Sequence, residues 1–407
     1  MKKFVIDMLI AMLIIASCTE SSKDKIVKSV VNDGETIKIF LEKDIDKNEK
    51  INLDSLIESM DYITPQLTDE SIIGEYDKII VCDDRFFIME NSINNKSVFV
   101  FDLNGKYLSK VNSVRQGPGE YITIHDFYYD SKNQLIGILS QSQILRYELN
   151  GTFKDKINLR KYAIKEIAYA NEHVYAYCQP QCKSINCYSV LVLDEKFNPI
   201  YEDYPLPKNL INFPFFFEKR SLYSNENNVY FNAINNDTIY RVKDNYMCAE
   251  FVIDFGKYKF PNEYFKNLVK EGDKSIKKLG QLYSSKYVLF GIKNYLISDN
   301  YVYVSFFKDT KIFLSFYSIN SNTTKTFAST YFPSTVFLFG EINSLHNNKF
   351  YTVIDNEWLE YLKHTEERDN ISNLPDDNLR KIRYNKVLKN FNPNNNSIIA
   401  VFKLKPY

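Results

Sequence analysis

Surplus charge is the first thing this chain lacks: Lys+Arg and Asp+Glu both number 51. Nucleic-acid binding needs a basic excess to displace counterions, and an acidic, solvating disordered chain needs the opposite excess. Both classes are excluded. Histidine is scarce, at four: His125, His173, His346 and His364. No His-Glu-x-x-His pair and no Gly-x-Ser-x-Gly nucleophile elbow occurs, so a zinc protease or a serine triad has no support. There is one Trp, and Gly and Pro number only 12 each. Tyr and Phe are abundant instead, at 31 and 30 of 407 residues. Aromatic and β-branched residues suit pleated, half-buried surfaces, so an all-β body is expected.

The N terminus has its own pattern. Lys2 and Lys3 precede a mostly apolar run over residues 4–15, interrupted by Asp7, and then Ile15-Ala16-Ser17-Cys18. The pattern reads as a secretory signal over residues 1–17, too short to span a bilayer as a stable helix. Cys18 directly after Ile-Ala-Ser resembles the lipobox of bacterial lipoproteins. That resemblance implies a lipidated Cys18, since several acyl chains together give lasting attachment. An ordinary cleaved signal with a chance cysteine is the alternative. Residues 18–50 are expected to form a lipidated tether and N-terminal segment, and residues 51–407 the fold. No later run approaches transmembrane length, so lipid alone would hold the protein, as an outer-membrane lipoprotein facing the periplasm or the cell surface.

Cys82, Cys178, Cys182, Cys187 and Cys248 remain. Cys178 and Cys187 lie between two strand-like runs, where a hairpin would bring them close enough for a disulfide. Free thiols and a metal site are the other readings, although the spacing fits no standard zinc pattern. Cys82 and Cys248 fall in apolar runs and read as small buried residues.

A repeat underlies the strand pattern. Segments 77–84, 126–133, 166–171, 220–225, 294–299 and 342–347 each run from a polar residue through mostly apolar ones to a polar turn. Most of their spacings match the ~40–50-residue period of four-stranded propeller blades. Asn104-Gly105 and Asn150-Gly151 fall at matching points of successive units and read as type I′ hairpin turns. Helical spacing breaks the pattern over residues 261–282 and again over 357–389. The last unit lacks a fourth strand and residues 60–67 lack a unit. Pairing the two closes a ring without an open edge. The expected fold is a six-bladed β-propeller with helical insertions between blades 4 and 5 and within blade 6.

Residues 71–80, 98–106, 116–121, 236–241 and 398–405 together resemble the six-bladed β-propeller lipoproteins of Bacteroidota, distant relatives of NHL-repeat propellers. The resemblance implies fold and location, and no activity. Residues 116–121, Gln-Gly-Pro-Gly-Glu-Tyr, could be mistaken for a phosphate loop but lack its Lys-Ser/Thr ending; they read as a turn.

Propellers take ligands at the channel mouth, which the inner-strand starts line. Those starts are Asp77, Asp126, Glu166, Arg220, Asn294 and, just before the last, Glu341. Carboxylates and an amide there could hold Ca²⁺, or be polar because a channel is wet. Arg220 or Arg115 could grip an anion, or make ordinary ion pairs. The apolar stretch 213–217 could meet a partner if exposed, or pack beneath the insert. Two functions follow: a non-catalytic binding or scaffold module for a peptide, glycan or partner protein, or a metal-dependent, lactonase-like hydrolase or lyase.

Overall fold

The computed structural model describes residues 35–47, 56–141, 143–159, 162–178, 188–205, 219–225, 228–271, 278, 281–282, 284–329, 342–364 and 370–407. Cys18, Cys182, Cys187, Glu341 and the apolar stretch 213–217 lie outside these residues.

The strands form six sheets, each a four-stranded antiparallel blade at heart. Blade 1 runs outward from the channel through Lys78–Val81, Arg85–Asn91, Lys96–Asp102 and Tyr107–Val111. Blades 2 to 5 repeat the order, with inner strands Asp126–Asp130, Ile164–Ala170, Leu222–Asn225 and Asn294–Ile297. Blade 6 comprises Ser344–His346, Lys349–Ile354 and Ile398–Leu404, and its outer strand is Ile57–Ile63 from the other end of the chain. That strand pairs antiparallel with Ile398–Leu404, Met60 opposite Phe402. Each inner strand touches the next, and the last touches the first, so the ring closes as expected.

Blades stack face to face, so both faces of their middle strands are buried. This is why these strands read as continuous apolar runs rather than alternating ones. Five consecutive residues of Arg85–Asn91 are buried, as are five of Lys96–Asp102. The aromatics fill the space between blades. Phe87 of blade 1 meets Tyr129 of blade 2 at 4.5 Å between ring centres. Tyr128 of blade 2 stacks on Tyr169 of blade 3 at 5.4 Å.

Helix Asn262–Glu271 separates blades 4 and 5 and buries Leu268 and Val269 against Phe260, Leu282, Leu289 and Phe290. Helices Asn356–Lys363 and Leu379–Asn390 fall between the middle strands of blade 6. Asn378 caps the second of these, accepting from the Arg380 amide at 3.0 Å. Among the described residues no helix is long and apolar enough to cross a membrane.

Three features differ from the sequence expectation or extend it. First, Ile37–Phe40 adds a fifth strand to blade 4, parallel to residues 251–254. The short helix Glu42–Lys47 that follows reaches the outer strand of blade 5. The segment before the ring thus straps two blades. Second, the Asn-Gly turns are not type I′. Only Gly105 and Gly151 have positive φ, at 87° and 85°. The Gly105 and Gly151 amides donate to the Asp102 and Glu148 carbonyls, and the strands resume with shifted register. This is a type I turn followed by a left-handed residue and a bulge. Asn104 and Asn150 stay right-handed because backbone amides are otherwise satisfied: Asn104 N–H donates to Asp102 Oδ1, and Asn150 Oδ1 accepts from Thr152 N–H, both at 2.9 Å. Blade 3 repeats the turn with Phe197 in the left-handed position, φ 61°, and no glycine to betray it. Third, Cys178 carries a free thiol. It packs inward with Ile164, Leu191 and Leu193, and burial pushes its pKa up to about 12. Its candidate partner, Cys187, lies outside the described residues.

Residues 116–121 are the expected turn. Gly117 and Glu120 bond reciprocally, the Gly117 amide to Glu120 Oε2 at 2.6 Å and the Glu120 amide to the Gly117 carbonyl. Gly119 has φ 73°, and a Cβ there would lie 2.4 Å from the Phe153 ring. Gly117 has no such φ, so only Gly119 needs the left-handed freedom.

Candidate functional site: the central channel

Of the inner-strand starts only Arg220 lines the channel cavity among the described residues; the side chains of Asp126, Glu166 and Asn294 are spent on neighbouring blades. Asp126 is 5% exposed. Its Oδ1 accepts from Lys78 Nζ at 2.6 Å and from its neighbour's amide, Phe127 N–H; its Oδ2 accepts from the Ile167 amide at 2.7 Å. Lys78 also donates to the Phe127 carbonyl at 2.8 Å. Glu166 accepts from the Ser221 and Leu222 amides at 2.9 and 2.8 Å. Asn294 Nδ2 donates to the Ile342 carbonyl at 3.0 Å. Asp77 is exposed and caps within its own blade, accepting from the Asn91 amide at 2.7 Å.

These contacts form a sequence. Blade 1 reaches blade 2 through Lys78, blade 2 reaches blade 3 through Asp126, and blade 3 reaches blade 4 through Glu166. Lys219 continues it, donating to the Ile292 carbonyl at 2.7 Å and to Asn232 Oδ1. Asn294 carries it to blade 6. Apolar stacking alone is non-directional; hydrogen bonds at the narrow end fix the azimuth of each blade. Burial raises the pKa of Glu166, and burial lowers that of Lys219 to about 7.

Asp126 and Glu166, as bonded here, are poorly placed to coordinate Ca²⁺. The oxygens of Asp126 and Glu166 already accept from an ammonium and from backbone amides, and a dication beside Lys78 would be repelled. Among the described residues no three His, Cys, Asp or Glu side chains converge as a metal site.

Arg220 behaves differently. It directly precedes Glu166's backbone partners in the chain and lines the cavity, and its Nη2 donates to the Asn343 carbonyl of blade 6 at 3.2 Å. It forms no ion pair with a carboxylate among the described residues. The cation that neutralises Asp126 is Lys78, a residue the repeat pattern did not single out because it follows the polar start by one position.

From Lys78 and Arg220 a cavity of about 720 Å³ runs along the inner strands to the turns that follow them. All six blades line it. Its rim carries Asp83, Lys132, Glu172, Asp299, His346 and Asn347. His346 Nε2 meets Asp83 Oδ1 at 3.0 Å, joining blade 6 to blade 1, and Lys132 pairs with Glu172 across blades 2 and 3. The rim turns use left-handed residues, Asn171-Glu172 and Asn347-Asn348. A second hollow of about 690 Å³ between blades 2 and 3 shares Tyr128, Lys132, Tyr169 and Glu172 with the channel. Arg146 lies in it, paired with Asp155 and 5.1 Å above the Phe197 ring.

A closed ring of six blades around a polar channel defines a six-bladed β-propeller. The chain belongs to the family described as a domain of unknown function, DUF4934, which matches residues 36–403. No curated protein matches the chain by sequence. Among solved structures it is similar to a Bacteroides fragilis protein described as a candidate exported protein. That match has a TM-score of 0.72 and 17% identity, over 91% of this chain and 100% of the other. At that identity the likeness speaks for the fold alone. BamB from Moraxella catarrhalis matches with a TM-score of 0.35 and 9% identity, over 65% of this chain and 63% of its own. The RRP9 WD40 repeats match with a TM-score of 0.40 and 10% identity, over 85% and 98%. Neither of these two carries an argument.

Proposed function

We propose that this propeller is a non-catalytic binding or scaffold module of the cell envelope, held to the membrane by lipid on Cys18, and that its channel mouth takes a peptide, glycan or partner protein. The observation that carries the reading is the 720 Å³ cavity lined from all six blades, a size suited to a bound ligand, while the buried acidic strand starts are occupied by inter-blade bonds. The lipobox-like Ile15-Ala16-Ser17-Cys18 supports the anchor. The exported B. fragilis neighbour and the resemblance to NHL-like lipoproteins of Bacteroidota support an envelope location.

Two measurements test it. Cys18→Ala should move the protein out of the membrane fraction; full retention would refute the lipid anchor. The purified mature domain, screened on peptide and glycan arrays, should bind members of one class, and rim substitutions at Asp299 or Lys132 should weaken that binding. A tightly bound divalent ion with lactone hydrolysis that follows it would overturn the non-catalytic reading.

A further inference from the structure

We infer that the channel binds the free C-terminal end of a short peptide, carboxylate inward on Arg220 and amino end toward the acidic rim. The inference rests on the binding-module reading and names its ligand class.

Four observations lead there. Arg220 is a half-buried guanidinium at the inner end of the cavity, bonded to one carbonyl and to no described carboxylate. A guanidinium presents a planar fork that matches a carboxylate. Lys78 is already neutralised by Asp126, and Lys219, bonded to Asn232 and the Ile292 carbonyl, does not line the cavity, so one positive charge is available at its inner end. That favours a monoanion over a phosphate dianion. Asp299, at the opposite end, is exposed and makes no ion pair among the described residues. An uncompensated cation inside and an uncompensated carboxylate at the rim match a zwitterion of corresponding length. At the rim end, Asn225 and Asn348 are cavity-lining residues whose buried side-chain carbonyl oxygens have no donor among the described residues. The terminal amide torsion is broad and soft, so Asn348 can turn its oxygen toward a peptide N–H, whereas Asn225 is held by its Nδ2 donating to the Ile297 carbonyl at 2.5 Å.

The length follows from the strands. Arg220 and Asn225 lie at opposite ends of one inner-strand segment, five residues apart, roughly 17 Å at ~3.3 Å per residue. An extended peptide of about four or five residues spans the same distance. A peptide N–H near the amino end offers a donor to an otherwise unpaired acceptor there, which a hydrocarbon or a simple anion does not.

The test uses the mature full-length domain and two pools of random tetrapeptides. One pool has free carboxyl ends and the other is C-terminally amidated. Equilibrium dialysis with mass spectrometry reads retention. The free-acid pool should be retained at least about ten-fold more than the amidated pool, given the strength of charge-assisted bidentate bonds. Arg220→Lys, which keeps the charge but loses the fork, should reduce retention with an unchanged melting temperature. Asp299→Asn should weaken free-amine peptides and leave N-acetylated ones unchanged. Equal retention of both pools overturns the inference and leaves the binding-module reading standing. So does retention of an oligouronate pool instead of either peptide pool. No retention of any peptide or glycan pool would overturn both.

Discussion

Asn396 offers the sharpest test of how the ring is held shut. It is 2% exposed and lies just before the last strand, against the loop that leads from Ile57–Ile63 into blade 1. Its Oδ1 accepts from the Ile73 amide at 2.9 Å. Its Nδ2 donates to the Ser71 carbonyl at 2.7 Å and, more weakly, to the Pro65 and Gln66 carbonyls at 3.3 Å each. One side chain therefore ties the first and last segments of the ring together. Asn396→Ala leaves at least two buried backbone groups without partners, at about 1–3 kcal/mol each. The expected loss is about 3 kcal/mol, read as a lower urea midpoint. Asn396→Asp is the more telling variant. It keeps the acceptor for Ile73 but turns a carboxylate oxygen toward three carbonyls. At neutral pH it should be less stable than Asn396→Ala. Its folded-state pKa would be raised above the ordinary ~3.9 of Asp. For such a group the penalty is complete above the folded pKa and fades as pH falls toward the unfolded value. Protonated, it can again donate to Ser71. Urea unfolding of both variants between pH 7 and pH 4 checks this. A loss below about 0.5 kcal/mol for Asn396→Ala, or no relative recovery of Asn396→Asp at low pH, would refute the seam argument.

Three further outcomes are expected. Gly105→Ala and Gly151→Ala should each destabilise by about 2 kcal/mol or more, since both residues have positive φ and a Cβ would lie 2.7 Å from the Thr64 carbonyl or 2.6 Å from that of Lys110; thermal melts check it. Lys219, lowered by burial to about 7 from an ordinary 10.5, is neutral when folded and charged when unfolded across that window. Stability should therefore rise with pH from about 7 upward, by as much as ~1.4 kcal/mol per pH unit. In Lys219→Met that rise should be absent, as unfolding at pH 7 and 9 would show. Glu166→Gln should keep the domain folded but loosen the contact of blade 3 with blade 4, visible as faster amide exchange at Ser221 and Leu222, whose amides its carboxylate now holds.

Much of the architecture was legible from the chain alone because propeller blades are local structures. Four strands joined by short turns leave a period in the sequence, and the apolar middle strands mark where blades press together. The missing fourth strand and the orphan segment near residue 60 announced the closure by simple counting. Turn chemistry was only half legible. Asn-Gly marked the place of a turn, but which residue went left-handed depended on which carboxylate or amide satisfied the backbone, and Phe197 took the same role without a glycine.

The channel polarity was legible too, but its meaning was not. Asp126 and Glu166 look like ligands in a list of strand starts. Only the tertiary structure brings Lys78 to one and the amides of Ser221 and Leu222 to the other, turning candidate binding groups into bonds between blades. The same assembly bonds Arg220 to the Asn343 carbonyl and gives it no carboxylate partner among the described residues. The sequence by itself determined the blades, their count and their order, because those follow from patterns within some fifty residues. The three-dimensional ring decided which charge was neutralised and which stayed available, because that depends on residues far apart in the chain meeting across a blade interface.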